Sequence, residues 1–148
     1  MTSQHWKPAV TVNGSTSYEA KREMRFGFLD PLERMDGEGL QSLVLWHYPA
    51  DEEFEHPKYL SNYIQCAGTA RRLTVELRRT QPDGTYTHWV LGRLVPTGTE
   101  SETIQWAEFS TRVHPEEVWT AADVAPLFDY YATHRTLPDT IHRRALDL

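Results

Sequence analysis

The stretch "RRLTVELRRTQPDGTYTHWVLGR", residues 71–93, constrains the fold more than any other part of this chain. Leu73, Val75 and Leu77 alternate with Arg72, Thr74, Glu76 and Arg78, which is the two-residue period of a strand with one dry and one wet face. In "TQPDGT", Pro82 supplies the fixed φ of a first turn position and Gly84 the positive φ of a hairpin return. A hairpin of this kind is marginal alone, so further strands are needed to cover its apolar face.

They are found at residues 40–48, 59–67 and 102–113, each of strand length, rich in β-branched or aromatic residues and bounded by Pro, Gly, Asp or Ser. "AVTV" at 9–12 reads as a short first strand before the loop "NGSTS", and residues 1–8 as a loose N-terminal segment. Residues 17–29 carry both periods: "YEAKREM" is rich in helix formers, while Met24, Phe26 and Phe28 alternate as in a half-buried strand. In "DPLERMDG", Asp30 as cap, Pro31 at the first helical position and Gly37 as terminator predict a short helix over 30–36.

Near the end, Thr120 and Asp123 have the spacing of a helix cap, and Val124, Leu127, Phe128 and Tyr131 form one apolar stripe. Pro126 requires that this helix start close by or kink. "IHRRALDL" is a tail able to add an edge strand. The expected architecture is α+β, one domain over 1–148: a single antiparallel sheet of about five or six strands, a C-terminal helix packed on one face and a short helix near the N-terminus.

The formal charge of −6, from 21 acidic and 15 basic residues, disfavours nonspecific nucleic-acid binding, which draws its affinity from cations, and favours a basic protein partner. No apolar run reaches the length of a membrane span or a signal peptide, so a cytoplasmic chain without a membrane role is expected. The single cysteine, Cys66, excludes an internal disulfide and a multi-cysteine zinc site. It stands in a strand pattern as a packing residue. The histidines, among them His47, His56, His88, His114, His134 and His142, show no HxH, HxxxH or HExxH spacing, and no metal or cofactor is expected. Nucleotide-binding glycine loops and the GxSxG nucleophile motif are likewise absent.

Two surfaces remain as candidates. Asp51, Glu52, Glu53 and Glu55, with Phe54 as apolar anchor, form an acidic loop suited to a basic protein. Alternatively a pocket between sheet and helix, lined by His47, Cys66, Glu76, His88 and Trp89, would take a small molecule or support an enzyme. Arg72 and Arg78 share the wet face with Glu76, so cross-strand pairing is expected for them. Arg71, Arg79, Arg93, Arg112, Arg143 and Arg144 could extend a basic stripe able to hold phosphate or carboxylate. Trp46, Trp89 and Trp106 stand in separate strands and are read first as core.

"YLSNYIQCAGTARRLTVELRR" and "VWTAADVAPLFDYYATHRTLPDTIHRRALDL" resemble a family of small actinobacterial proteins. More loosely, "YYATHRTLP" is similar to the ending of immunity proteins encoded beside bacterial polymorphic toxins, a helix followed by a "TGxxP" turn. Tyr130, Thr133, Leu137 and Pro138 match it, while His134 and Arg135 stand where a glycine is commoner. The resemblance implies a nonenzymatic binding protein and brings no catalytic residue with it.

Overall fold

The computed structural model describes residues 5–54 and 61–146. Seven strands form one antiparallel sheet: β1 (Trp6–Val12), β2 (Thr16–Glu19), β3 (Ser42–Pro49), β4 (Tyr63–Thr69), β5 (Arg72–Thr80), β6 (Tyr86–Gly92) and β9 (His142–Ala145). Their spatial order is β2-β1-β3-β4-β5-β6-β9. Residues 102–113 do not add a strand to it, as expected from their composition, but fold as a separate hairpin of β7 (Glu102–Trp106) and β8 (Phe109–Val113). Ala107, with φ 50°, makes the reversal between them.

The hairpin of β5 and β6 forms as the sequence dictates, with Gly84 at φ 89° and its N–H on the Gln81 carbonyl at 2.9 Å. A second tight return, through Asn13 at φ 53° and Gly14 at φ 70°, turns "NGSTS" into the start of β2 rather than a simple loop. Pairing of β1 with β3 begins at Trp6 opposite Pro49, so the ordered chain starts earlier than residue 9. The tail does add an edge strand, β9, which lies against β6 from Trp89 to Gly92.

In residues 17–29 the helix signal holds from Lys21, while the alternation of Met24, Phe26 and Phe28 makes no strand: the strand of this segment lies earlier. Thr16–Glu19 is strand, and α1 (Lys21–Phe26) begins at once. Helical geometry leaves Met24 and Phe26 exposed, whereas Phe28 beyond the helix is buried. The next helix, α2 (Leu29–Glu33), is shorter than the expected 30–36. Asp30 lies inside it, bound to Arg22 and Arg34, and the Phe28 N–H is capped from afar by Asp129 at 2.9 Å. Asp36 ends the segment by accepting the N–H groups of Glu38 and Leu40.

The long helix α3 (Ala121–His134) starts on Thr120, whose hydroxyl accepts the Asp123 N–H, and contains Pro126 within its second turn. Val124, Leu127, Phe128 and Tyr131 are all buried. They meet Leu43, Leu45, Ile64, Cys66, Leu73, Val75 and Leu91 from the sheet in one core. Each such aliphatic side chain contributes about 1.5–3 kcal/mol through removal from water. Alternation sends the other set of residues to the far face. There Ala9, Trp46 and Tyr48 pack with Phe54 and Tyr63, and Val90 packs with Ile104 and Val113 of the β7–β8 hairpin. The face expected to be wet is therefore covered in part: Thr74 and His88 are buried in its middle.

Candidate functional site

Strand register divides the residues proposed for one pocket. His47, Cys66 and Trp89 point toward α3, in step with Leu45, Ile64 and Leu91, whereas Glu76 and His88 point away from it. Cys66 sits in the core, its thiol 3.7 Å from the Met35 sulfur, and burial pushes its pKa up to about 12. It packs, and has neither exposure nor thiolate for nucleophilic work.

On the opposite face, Glu76 accepts a close hydrogen bond from His88 Nε2 and another from Gln65 at 3.1 Å. Glu76 thus pairs with His88 instead of with arginine. Arg78 stacks on the Tyr86 ring, 3.8 Å from its centroid, and Arg72 reaches Glu102 of β7 at 3.5 Å. The expected pairing with an acid on another strand is met for Arg72 and not for Arg78. The three tryptophans also part company: Trp46 fills the far face, Trp106 belongs to the separate hairpin, and Trp89 borders the helix side.

Between the sheet and the end of α3 lies a cleft of about 720 Å³. Trp6 from β1, His47 from β3, Arg79 from β5, Trp89 from β6 and Arg143 from β9 meet Tyr131, His134 and Arg135 there. Five strands and one helix end thus converge on it. Arg135 ends α3 in the left-handed region, φ 58°, where His134, Arg135 and Thr136 line the cleft. Its guanidinium lies 3.7 Å over the Trp6 ring. Burial lowers the Arg135 pKa, and the nearby charge of Arg79 lowers it further. Arg79 and Arg135 thus line the cleft together, with Asp139 the one acid among its described lining residues. Among the described residues, none of Arg79, Arg135 and Arg143 forms an ion pair. Arg143 is instead oriented by the carbonyls of Leu137 and Ile141, both at 3.3 Å.

The floor is aromatic and neutral. His47 is buried, with its ring 5.5 Å from that of Tyr131 and its Nε2 2.9 Å from the Ala132 carbonyl. A carbonyl can only accept, so Nε2 carries the proton and Nδ1 is left as an acceptor. Burial lowers the His47 pKa to about 4, against the opposing pull of the carbonyl, and the Arg135 charge adds to the fall. Tyr131 is likewise held neutral, its pKa pushed up to about 12 by burial. The chemistry on offer is three cationic forks, those of Arg79, Arg135 and Arg143, beside an uncharged aromatic base.

The acidic loop is placed only in part. Asp51, Glu52 and Glu53 are exposed, and Glu55 lies outside the described residues, as do His56 and the expected strand start at 59–60. Phe54 faces inward, stacked 6.0 Å from Trp46 and edge-on to Tyr48 at 5.6 Å, so it is not presented as an anchor. Among the described residues no three of His, Cys, Asp and Glu gather as metal ligands, and no helix is long and apolar enough to cross a membrane.

Sequence reasoning named His47 and Trp89 for a sheet-helix pocket but missed Trp6, Tyr131 and Arg135. Arg79 and Arg143 belonged to the basic stripe, with no sign that they would share a cleft. The three arginines stand at 79, 135 and 143 in different elements, and only the sheet order brings them together. Comparison with models of known families, with curated proteins and with solved structures found no match.

Proposed function

We propose that this chain binds a small anionic molecule, a phosphate ester or carboxylate, in the cleft between the sheet and the end of α3, without converting it. One observation carries the reading. Three arginines that form no ion pair among the described residues border, with Asp139 as the one lining acid, a cleft of about 720 Å³ in a chain whose net charge is −6. Such clusters repel one another and gain most from an anion held between them. Trp6, Trp89 and Tyr131 supply the flat apolar walls typical of sites in the range of about 300–1,000 Å³. His47 offers a lone pair and not a titrating acid, and the Glu76 and His88 pair lies across the sheet, which supports binding rather than acid/base catalysis.

Calorimetric titration with phenyl phosphate and with benzoate tests it. Saturable binding should weaken about tenfold in Arg79→Gln and again in Arg135→Gln, the scale of one charge-assisted hydrogen bond, and should weaken with salt. Equal affinity in the parent and both variants would sink the reading.

The exposed carboxylates of Asp51, Glu52 and Glu53 support a second reading, an immunity-type protein that covers a basic partner. Affinity capture at two salt concentrations, with the parent and with a variant carrying Ser at all three positions, separates the two readings. A basic protein retained by both forms equally would leave this loop as a solvated turn.

A further inference from the structure

At the other end of the same sheet face, α1 and α2 overhang a second cavity, of about 380 Å³. Val12, Leu40, Leu43 and Phe26 give it apolar walls, and of the four charged side chains that line it, Arg22, Glu23, Asp30 and Arg34, Glu23 alone is buried. Glu23 is 8% exposed, and so buried. Its Oε1 accepts the Tyr18 hydroxyl at 3.0 Å, and its Oε2, also buried, accepts no hydrogen bond from the protein. The two arginines at the rim are engaged with Asp30, a rim residue too: Arg22 and Arg34 bind it at 3.4 and 3.0 Å. No cation pairs with Glu23 among the described residues.

A buried carboxylate with an unmatched oxygen is costly, and a fold that keeps one has a donor to offer it or loses stability. Tyr18 is no substitute, since its one proton is already given to Oε1. Phe26, which lines the cavity, is 68% exposed, so an apolar ring stands at its mouth beside the charged rim. A ligand that matches both features has an apolar body to lie on Phe26 and Leu40 and a protonated nitrogen to reach Glu23. The geometry points to a second binding site, for a small primary amine with an aryl or alkyl body, in the Glu23 cavity. The one buried charged group in this cavity is a carboxylate, whereas the charged groups that line the cleft at the end of α3 are mainly arginines.

The test uses the full chain, amide NMR and two probes of the same shape and opposite charge, phenethylammonium and phenylpropionate. The amine should shift amides near Tyr18, Glu23, Phe26 and Leu40 in a saturable way and leave those near His47 and Trp89 unmoved. Glu23→Gln keeps an acceptor for Tyr18 and should weaken the amine about tenfold or more, with folding checked by urea denaturation. Leu40→Trp, which fills the cavity without touching the carboxylate, should also abolish the shifts. Binding of phenylpropionate with equal strength, an amine affinity unchanged in Glu23→Gln, or no saturable shift in the parent chain would each overturn the proposal, the last showing a cavity that holds only solvent.

Discussion

Arg144 grips Glu117 with two prongs, Nε 2.7 Å from Oε2 and Nη2 3.0 Å from Oε1, and so joins edge strand β9 to the segment before α3. Glu117 is fully buried. Burial alone would raise its pKa, yet the hydrogen bonds from Arg144 and His114 hold it below the ordinary carboxylate range. Removal of one partner leaves an uncompensated buried charge. Arg144→Ala should therefore cost about 3–5 kcal/mol in urea denaturation, far more than an exposed pair such as Arg22 with Asp30. A loss below about 1 kcal/mol would show that solvent reaches the carboxylate.

His47 makes stability depend on pH in a defined window. Its folded pKa of about 4 lies below the ordinary value of 6.5, so the unfolded chain binds the extra proton first. Stability should be level above pH 6.5 and fall as pH drops toward 4, by about 2 kcal/mol at pH 5. Denaturation midpoints at pH 7 and pH 5, compared between the parent and His47→Gln, check this. An equal drop in both would place its origin in other groups.

Cys66 should resist alkylation in the native state. Its pKa near 12 and complete burial leave almost no accessible thiolate at pH 8. Iodoacetamide should modify it at least about a hundredfold faster in urea than in buffer, with the native rate set by opening of the fold. A native rate close to that of a free thiol would contradict its place in the core.

Gly68 should not tolerate a side chain. It adopts φ 124° in β4, and a Cβ there would stand 2.2 Å from the Arg72 carbonyl oxygen and 3.0 Å from Ile104. Backbone and the β7 contact must both shift. Gly68→Ala should cost about 3 kcal/mol or more, while Ala at Gly14, where φ is 70° but the space is open, should cost only the backbone strain of about 1 kcal/mol. Thermal denaturation of the two variants orders them.

The hairpin at 81–85 and the stripe of α3 were legible because each is a local code. Two-residue alternation, a Pro and Gly turn and apolar residues three and four apart need no knowledge of neighbours. Residues 102–113 misled because they have strand composition, which says that they pair but not with what. Ala107 at φ 50° breaks the run, and nothing about an alanine announces that. The acid partners misled for the same reason. Glu76 has arginines on both sides in sequence, yet register sets it opposite Gln65 and next to His88, two strands that the chain reaches before and after it. The cleft was half visible: a sheet-helix pocket with His47 and Trp89 followed from face alternation, but its cations are brought together by strand order, which local patterns do not encode.

The wall of the arginine cleft that carries Arg143 is an edge strand, held in the sheet by β6 alone. Fraying of that one pairing withdraws a guanidinium from the cleft and leaves the core between the other strands and α3 in place.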